Sequence, residues 1–245
     1  MRKMTVICTL VLALCASMAS AQMPDPTVSD MSMSMYDVGS LKAGDWVEYE
    51  TEAYGQKYST KYACVGVEGD VIWIEYSDAG LAMMHKGSVI LVSVNKGDRK
   101  VTKAWFGKPG EKGKELKVSV TPKPAGDPPK SDMKMKGTGK VSKDKLKVKD
   151  KELDCEKLEM DIVSTMGGKD YPSKSTTWYC ESLPFKYFQD EATKKNSDEM
   201  MKDVKWDGKP EGKGAVARQE SGEGPAKSVM ACVGCGTDAK ATLQK

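Results

Sequence analysis

Tyr58-Ser59-Thr60-Lys61-Tyr62-Ala63-Cys64-Val65-Gly66-Val67-Glu68-Gly69-Asp70-Val71-Ile72-Trp73-Ile74-Glu75-Tyr76-Ser77 reads as one β-hairpin. Both arms are rich in β-branched and aromatic residues, which suit a pleated, half-buried surface. Gly69-Asp70 between them is a two-residue turn of the kind that needs positive φ. With those two residues as the loop, Glu68 stands opposite Val71 and the register follows. Ala63, Val65 and Val67 then share a face with Ile72, Ile74 and Tyr76, an apolar set expected on the core side. Tyr62, Cys64, Gly66, Trp73 and Glu75 take the other face, where Gly66 leaves room for the Trp73 indole. One dry face and one mixed face mark an antiparallel sheet. The expected fold is therefore mainly β: a curved antiparallel sheet or half-barrel, with at most one or two short helices and flexible termini.

Outward from the hairpin, Gly44-Asp45-Trp46-Val47-Glu48-Tyr49-Glu50 alternates like a strand and opens the fold. Val89–Val94 is apolar on both faces and reads as a central strand. Asn95-Lys96-Gly97-Asp98 turns it into Val101–Phe106. Gly, Pro and Lys then dominate residues 107–140, which read as a long exposed loop or a linker. Strands resume at Lys145–Val148 and Glu152–Thr165. A Gly167-Gly168 loop leads to Ser173–Cys180, followed by a strand at Phe185–Gln189. Ser197-Asp198-Glu199-Met200 is placed to cap a short helix running to Trp206. The β domain is bounded at residues 41–206.

Both ends read differently. Arg2 and Lys3, the apolar run Val6–Leu14 and the close on Ala19-Ser20-Ala21 form a secretory signal over residues 1–21, leaving Gln22 first. A lipid-modified Cys15 is the alternative, disfavoured by Leu14, where a small residue belongs. The signal directs the chain to the periplasm or the extracellular space, where paired cysteines are the default. Residues 22–40, with Pro24, Pro26 and alternating Met and Ser, read as a flexible leader. Residues 207–245, rich in Gly and Lys, read as a tail outside the core. Truncation at Gly208 is expected to leave cooperative unfolding intact. The net charge of +3 includes Arg2 and Lys3, so the balance gives no case for nucleic-acid binding. No second apolar run reaches the length of a membrane span.

Five cysteines follow the signal. Cys155 and Cys180 lie on consecutive strands. If the loop runs from Thr165 to Asp170, they stand directly opposite one another, a disulfide arrangement. Cys232-Val233-Gly234-Cys235 is a CxxC, read as a local disulfide or a redox pair. Other readings bond one of them to Cys64, or assemble Cys64, His85, Cys232 and Cys235 into a structural zinc site. Met31, Met33 and Met35 would project to one side of an extended chain, a thioether set suited to Cu(I). These five, Cys64, His85, Met31, Met33 and Met35, are the metal-ligand candidates.

A single histidine limits acid–base catalysis, and no nucleophile elbow or P-loop is present. The expectation is a non-enzymatic protein without a cofactor. Gly44–Tyr49, Leu153-Asp154-Cys155-Glu156-Lys157-Leu158 and Thr177-Trp178-Tyr179-Cys180-Glu181-Ser182-Leu183-Pro184 resemble segments of bacterial exported β-rich proteins of the lipoprotein-carrier (LolA/LolB-like) kind. That resemblance spans residues 41–206. It implies a half-barrel that cradles an apolar small molecule or lipid. The alternatives are an extracytoplasmic metal (copper or zinc) binder, with converging ligands, and a structural cell-envelope protein with a filled core.

Overall fold

The computed structural model describes residues 24–122, 134–188 and 190–245. The signal segment with Cys15, Gln22, Gln189 and the proline-rich centre of the 107–140 stretch lie outside them.

The chain runs β1 (Val28–Ser29), β2 (Trp46–Ala53), β3 (Gln56–Glu68), β4 (Val71–Ser77), α1 (Ala79–Met84), β5 (Val89–Asn95), β6 (Val101–Gly107), β7 (Lys114–Leu116) and β8 (Val118–Ser119). It continues with β9 (Lys134–Val148), β10 (Lys151–Met166), β11 (Lys169–Cys180), α2 (Glu191–Met200), β12 (Asp203–Asp207), β13 (Ala215–Ser221) and β14 (Ser228–Gly236). Twelve of these strands form one sheet in the order β12-β9-β10-β11-β13-β14-β2-β3-β4-β5-β6-β7, which does not close into a barrel. Its pairs are antiparallel except β12 with β9, so the sheet is mixed. β1 and β8 pair in parallel beside it.

The β3–β4 hairpin has the expected turn, Glu68 opposite Val71 and Gly66 opposite Trp73. A Cβ on Gly66 would stand 3.3 Å from the indole. Beyond Gly66 the expected faces are inverted. A β-bulge at Val65 inserts one residue, so Cys64 faces Ile74 and Tyr62 faces Tyr76. Tyr62 and Cys64 thereby join the core side, and Ala63 moves to the opposite face beside Glu75. The register continues the inner face through Val47, Ile72, Ile74, Val92 and Val94, all at 0% exposure. Burial of each such side chain contributes about 1.5–3 kcal/mol.

Five further expectations are corrected. The 107–140 stretch is no loop over much of its described part: it supplies β7 and β8, and β9 begins at Lys134 rather than Lys145. The 22–40 leader is no open segment over its described part: Val28, Met33 and Val38 are buried against the inner face. It is tied down by the Tyr36–Tyr187 bridge, and by Lys100 and the Thr121 N–H on Asp30. The 207–245 tail supplies β13 and β14, which join the two halves of the sheet, and buries Ala215, Ala217, Cys232 and Leu243. The helix lies earlier than its capping signal, over Glu191–Met200, and residues 203–207 form β12. Of the strand expected at residues 185–189, the described residues 185–188 hold only the Tyr187 bridge. For the leader, the tail and β12 a pairing partner far along the chain decided the outcome, which local composition does not report.

The last residues cross the outer face. Ala239 N–H donates to Gly44 O at 2.9 Å, and Trp46 Nε1 donates to Asp238 Oδ1 at 2.7 Å. Leu243 packs onto Gly107 and Gly113, and Lys245 Nζ stands 3.1 Å from the Trp73 ring centroid.

Candidate functional site

The long β10–β11 hairpin turns at Gly167-Gly168, with Thr165 opposite Asp170 and Glu156 opposite Tyr179. One step further, Cys155 and Cys180 meet as a disulfide with Cα atoms 4.5 Å apart. The close Cα spacing is that of a non-hydrogen-bonded antiparallel pair. Both halves are buried, so this bridge is structural.

The other three cysteines among the described residues, Cys64, Cys232 and Cys235, are free thiols. In an unbroken strand, Cys232 and Cys235 would point to opposite faces, because they are three residues apart. A bulge between Cys232 and Gly234 changes that. Cys232 stands opposite Tyr49 and Cys235 opposite Val47, two residues apart on one face of β2. Both thiols therefore lie on the inner face. Cys232 is buried, and its Sγ donates to Gly234 O at 3.5 Å. Burial, with Cys235 beside it, pushes the Cys232 thiol up to about 11. Cys235 is half-buried and lines a surface depression of about 340 Å³ together with Lys42, Asp45, Lys151, Glu181 and Lys186. Lys151 Nζ donates to the Cys235 carbonyl at 3.3 Å.

A repeated sequence signal carries this geometry. Cys64-Val65-Gly66 and Cys232-Val233-Gly234 each place a bulge at the valine, with the Cys Sγ donating to the Gly carbonyl. In both, the glycine lies against a tryptophan, Trp73 or Trp46. The doubled Cys-Val-Gly is the sequence feature the two bulges share, and neither composition nor alternation reports the inserted residue.

The metal candidates do not converge. Residues 30–35 form turns rather than an extended chain, so Met33 is buried in the core while Met31 and Met35 face outward. His85 Nε2 lies 3.0 Å from Pro24 O, and its ring meets Phe106 edge-on. Cys64 is fully buried, and burial pushes its thiol up to about 11. Among the described residues, no three His, Cys, Asp or Glu side chains gather at one metal-sized site.

The apolar inner face is filled by the chain itself. Leu183 and Phe185 are each 1% exposed. The Tyr36 ring packs on Tyr62 at 5.4 Å and on Phe185 at 5.8 Å. A groove of about 700 Å³ lies on the other half of the sheet, lined by polar and charged groups including Asp161, Lys174, Lys205 and Glu220, with Met160 and Trp206 among them. Among the described residues, no helix is long and apolar enough to cross a membrane.

No protein-family profile matches the chain, and no curated protein matches it. Among solved structures, one that is similar is a Bacteroides fragilis protein described as exported and as having a YmcC-like fold. It is 7% identical, with a TM-score of 0.31, and the match covers 83% of this chain and 99% of that one. A likeness at that level carries no conclusion about this chain, including its resemblance to lipoprotein carriers.

Proposed function

We propose that the protein is an exported, non-enzymatic structural module of the cell envelope, acting through its folded surface rather than an enclosed ligand cavity. One observation carries this reading. The apolar face of the sheet, where a carrier would hold a lipid, is occupied by Val28, Met33, Val38, Leu183 and Phe185 of the same chain. A lipid would have to displace these side chains, at about 1.5–3 kcal/mol each. The Cys155–Cys180 bridge fits the oxidising compartment that such a role requires.

Titration with an environment-sensitive fluorescent fatty acid tests the reading, together with native mass spectrometry of the protein purified from its secreting host. No saturable binding and no co-purifying lipid is the expected result. One-to-one saturable binding, or a retained acyl chain, overturns the proposal in favour of the carrier.

A further inference from the structure

We infer that Cys232 and Cys235 form a thiol–disulfide exchange site for small, negatively charged disulfides, a role beyond the structural one. Three observations converge. The bulge at Val233 puts both thiols on one face, at neighbouring positions. Cys235 is half-buried and lines the depression, while Cys232 is buried and does not line it, the order required of an attacking and a resolving thiol. In the wall of that depression three lysines, Lys42, Lys151 and Lys186, outnumber the carboxylates Asp45 and Glu181. A small disulfide carrying carboxylates therefore meets an excess of positive charge.

The chemistry needs only that disulfide. Cys235, as the thiolate, attacks one sulfur of R–S–S–R. The disulfide bond breaks, Cys235–S–S–R forms, and the released thiolate takes up the proton that Cys235 gave to solvent. Cys232 loses its proton in turn and attacks Cys235 Sγ. The mixed bond breaks, a second R–SH leaves, and the Cys232–Cys235 bond closes. Two protein thiols are oxidised and one disulfide is reduced to two thiols. Tyr49 and Glu48 are the other titratable groups set beside Cys232. Cys64, fully buried on β3, takes no part and serves as an internal control.

The test uses the folded protein, with the free thiols reduced and Cys155–Cys180 shown intact by peptide mapping. It is mixed with glutathione disulfide at low salt, quenched in acid and analysed by mass spectrometry over time. A glutathione adduct on Cys235 is expected to rise and then decay into a Cys232–Cys235 disulfide, with Cys64 unmodified. Cystamine, a cationic disulfide of smaller size, is expected to react about ten-fold more slowly. C232S should stop at the adduct, and C235S should form none. The wild-type time course decides the matter if either variant misfolds. A first adduct on Cys64 or Cys232, a Cys235 adduct that persists in the wild type, or cystamine reacting as fast as glutathione disulfide overturns the assignment. Lipid binding is read separately, so failure here leaves the structural reading standing.

Discussion

Glu75 and Thr242 are joined by two hydrogen bonds across 167 residues of chain: the Thr242 N–H donates to Oε2 at 2.9 Å and its hydroxyl to Oε1 at 2.8 Å. The Leu243 N–H adds a third at 2.9 Å. Glu75 is a buried carboxylate in the middle of β4, and these donors satisfy it. The C-terminal segment is thus fastened to the outer face beside Leu91 and Trp105, the next residues along that row of the sheet.

E75A should therefore destabilise the protein by about 3 kcal/mol, since hydrogen bonds to a charged acceptor contribute roughly 1.5–3 kcal/mol each and part is recovered by water. Tryptophan emission should shift to the red as the segment lifts from Trp73. Urea unfolding followed by fluorescence checks both. An unchanged midpoint would show that the segment is held by its apolar contacts alone.

G44A attacks the same segment from its other end. Gly44 has φ +99, and a Cβ there would lie 2.2 Å from the Thr237 carbonyl oxygen. The atoms it would meet, in Thr237 and Asp238, are backbone and do not yield by a rotamer change. The variant should lose the Ala239–Gly44 hydrogen bond, read as faster hydrogen exchange at Ala239.

Removing residues 208–245 should abolish the cooperative transition. The cut takes β13 and β14 out of the sheet between β11 and β2, leaving two half-sheets with bare edges. Circular dichroism against denaturant would show a broad, non-cooperative loss of signal. A retained sharp transition would mean that the β2–β7 half folds alone.

The Cys155–Cys180 disulfide closes a separation of 25 residues and should contribute about 2–4 kcal/mol. The double variant C155A/C180A should unfold at correspondingly lower denaturant. Local exchange should rise in β10 and β11 before it rises in β4 and β5.

Two pH effects follow from named groups. Hydrogen bonds from Trp46 to Asp238 and from Trp178 to Asp144 hold both carboxyls below their ordinary 3.8. A carboxyl lowered on folding stabilises the protein fully above its unfolded value, and that contribution is lost as pH falls through the folded one. An acid titration should therefore release the Trp46 indole below about pH 4. D238N should remove that step. In thiol exchange, the closing step depends on the Cys232 thiolate, whose thiol is raised to about 11. Disulfide closure should therefore accelerate about ten-fold per pH unit between pH 7 and 10. A pH-independent closure rate would assign the second step to another group.

The features legible in sequence are those whose partners lie close along the chain. The Gly69-Asp70 turn, the pairing of Gly66 with Trp73 and the meeting of Cys155 with Cys180 follow from turn chemistry and a period of two. What the tertiary structure decided depends on distant partners or on a single inserted residue. Bulges at Val65 and Val233 each shift a strand by one position, sending Cys64 inward and bringing Cys232 and Cys235 to one face. Residues 215–236 look like tail because their apolar side chains are small and few. They become central strands because β11 and β2 offer unpaired backbone on either side. Met33 reads as part of a polar leader until the inner face of the sheet supplies the apolar surface that buries it. Alternation along a chain records which residues prefer burial, but the neighbour that buries them is set only when the whole sheet assembles.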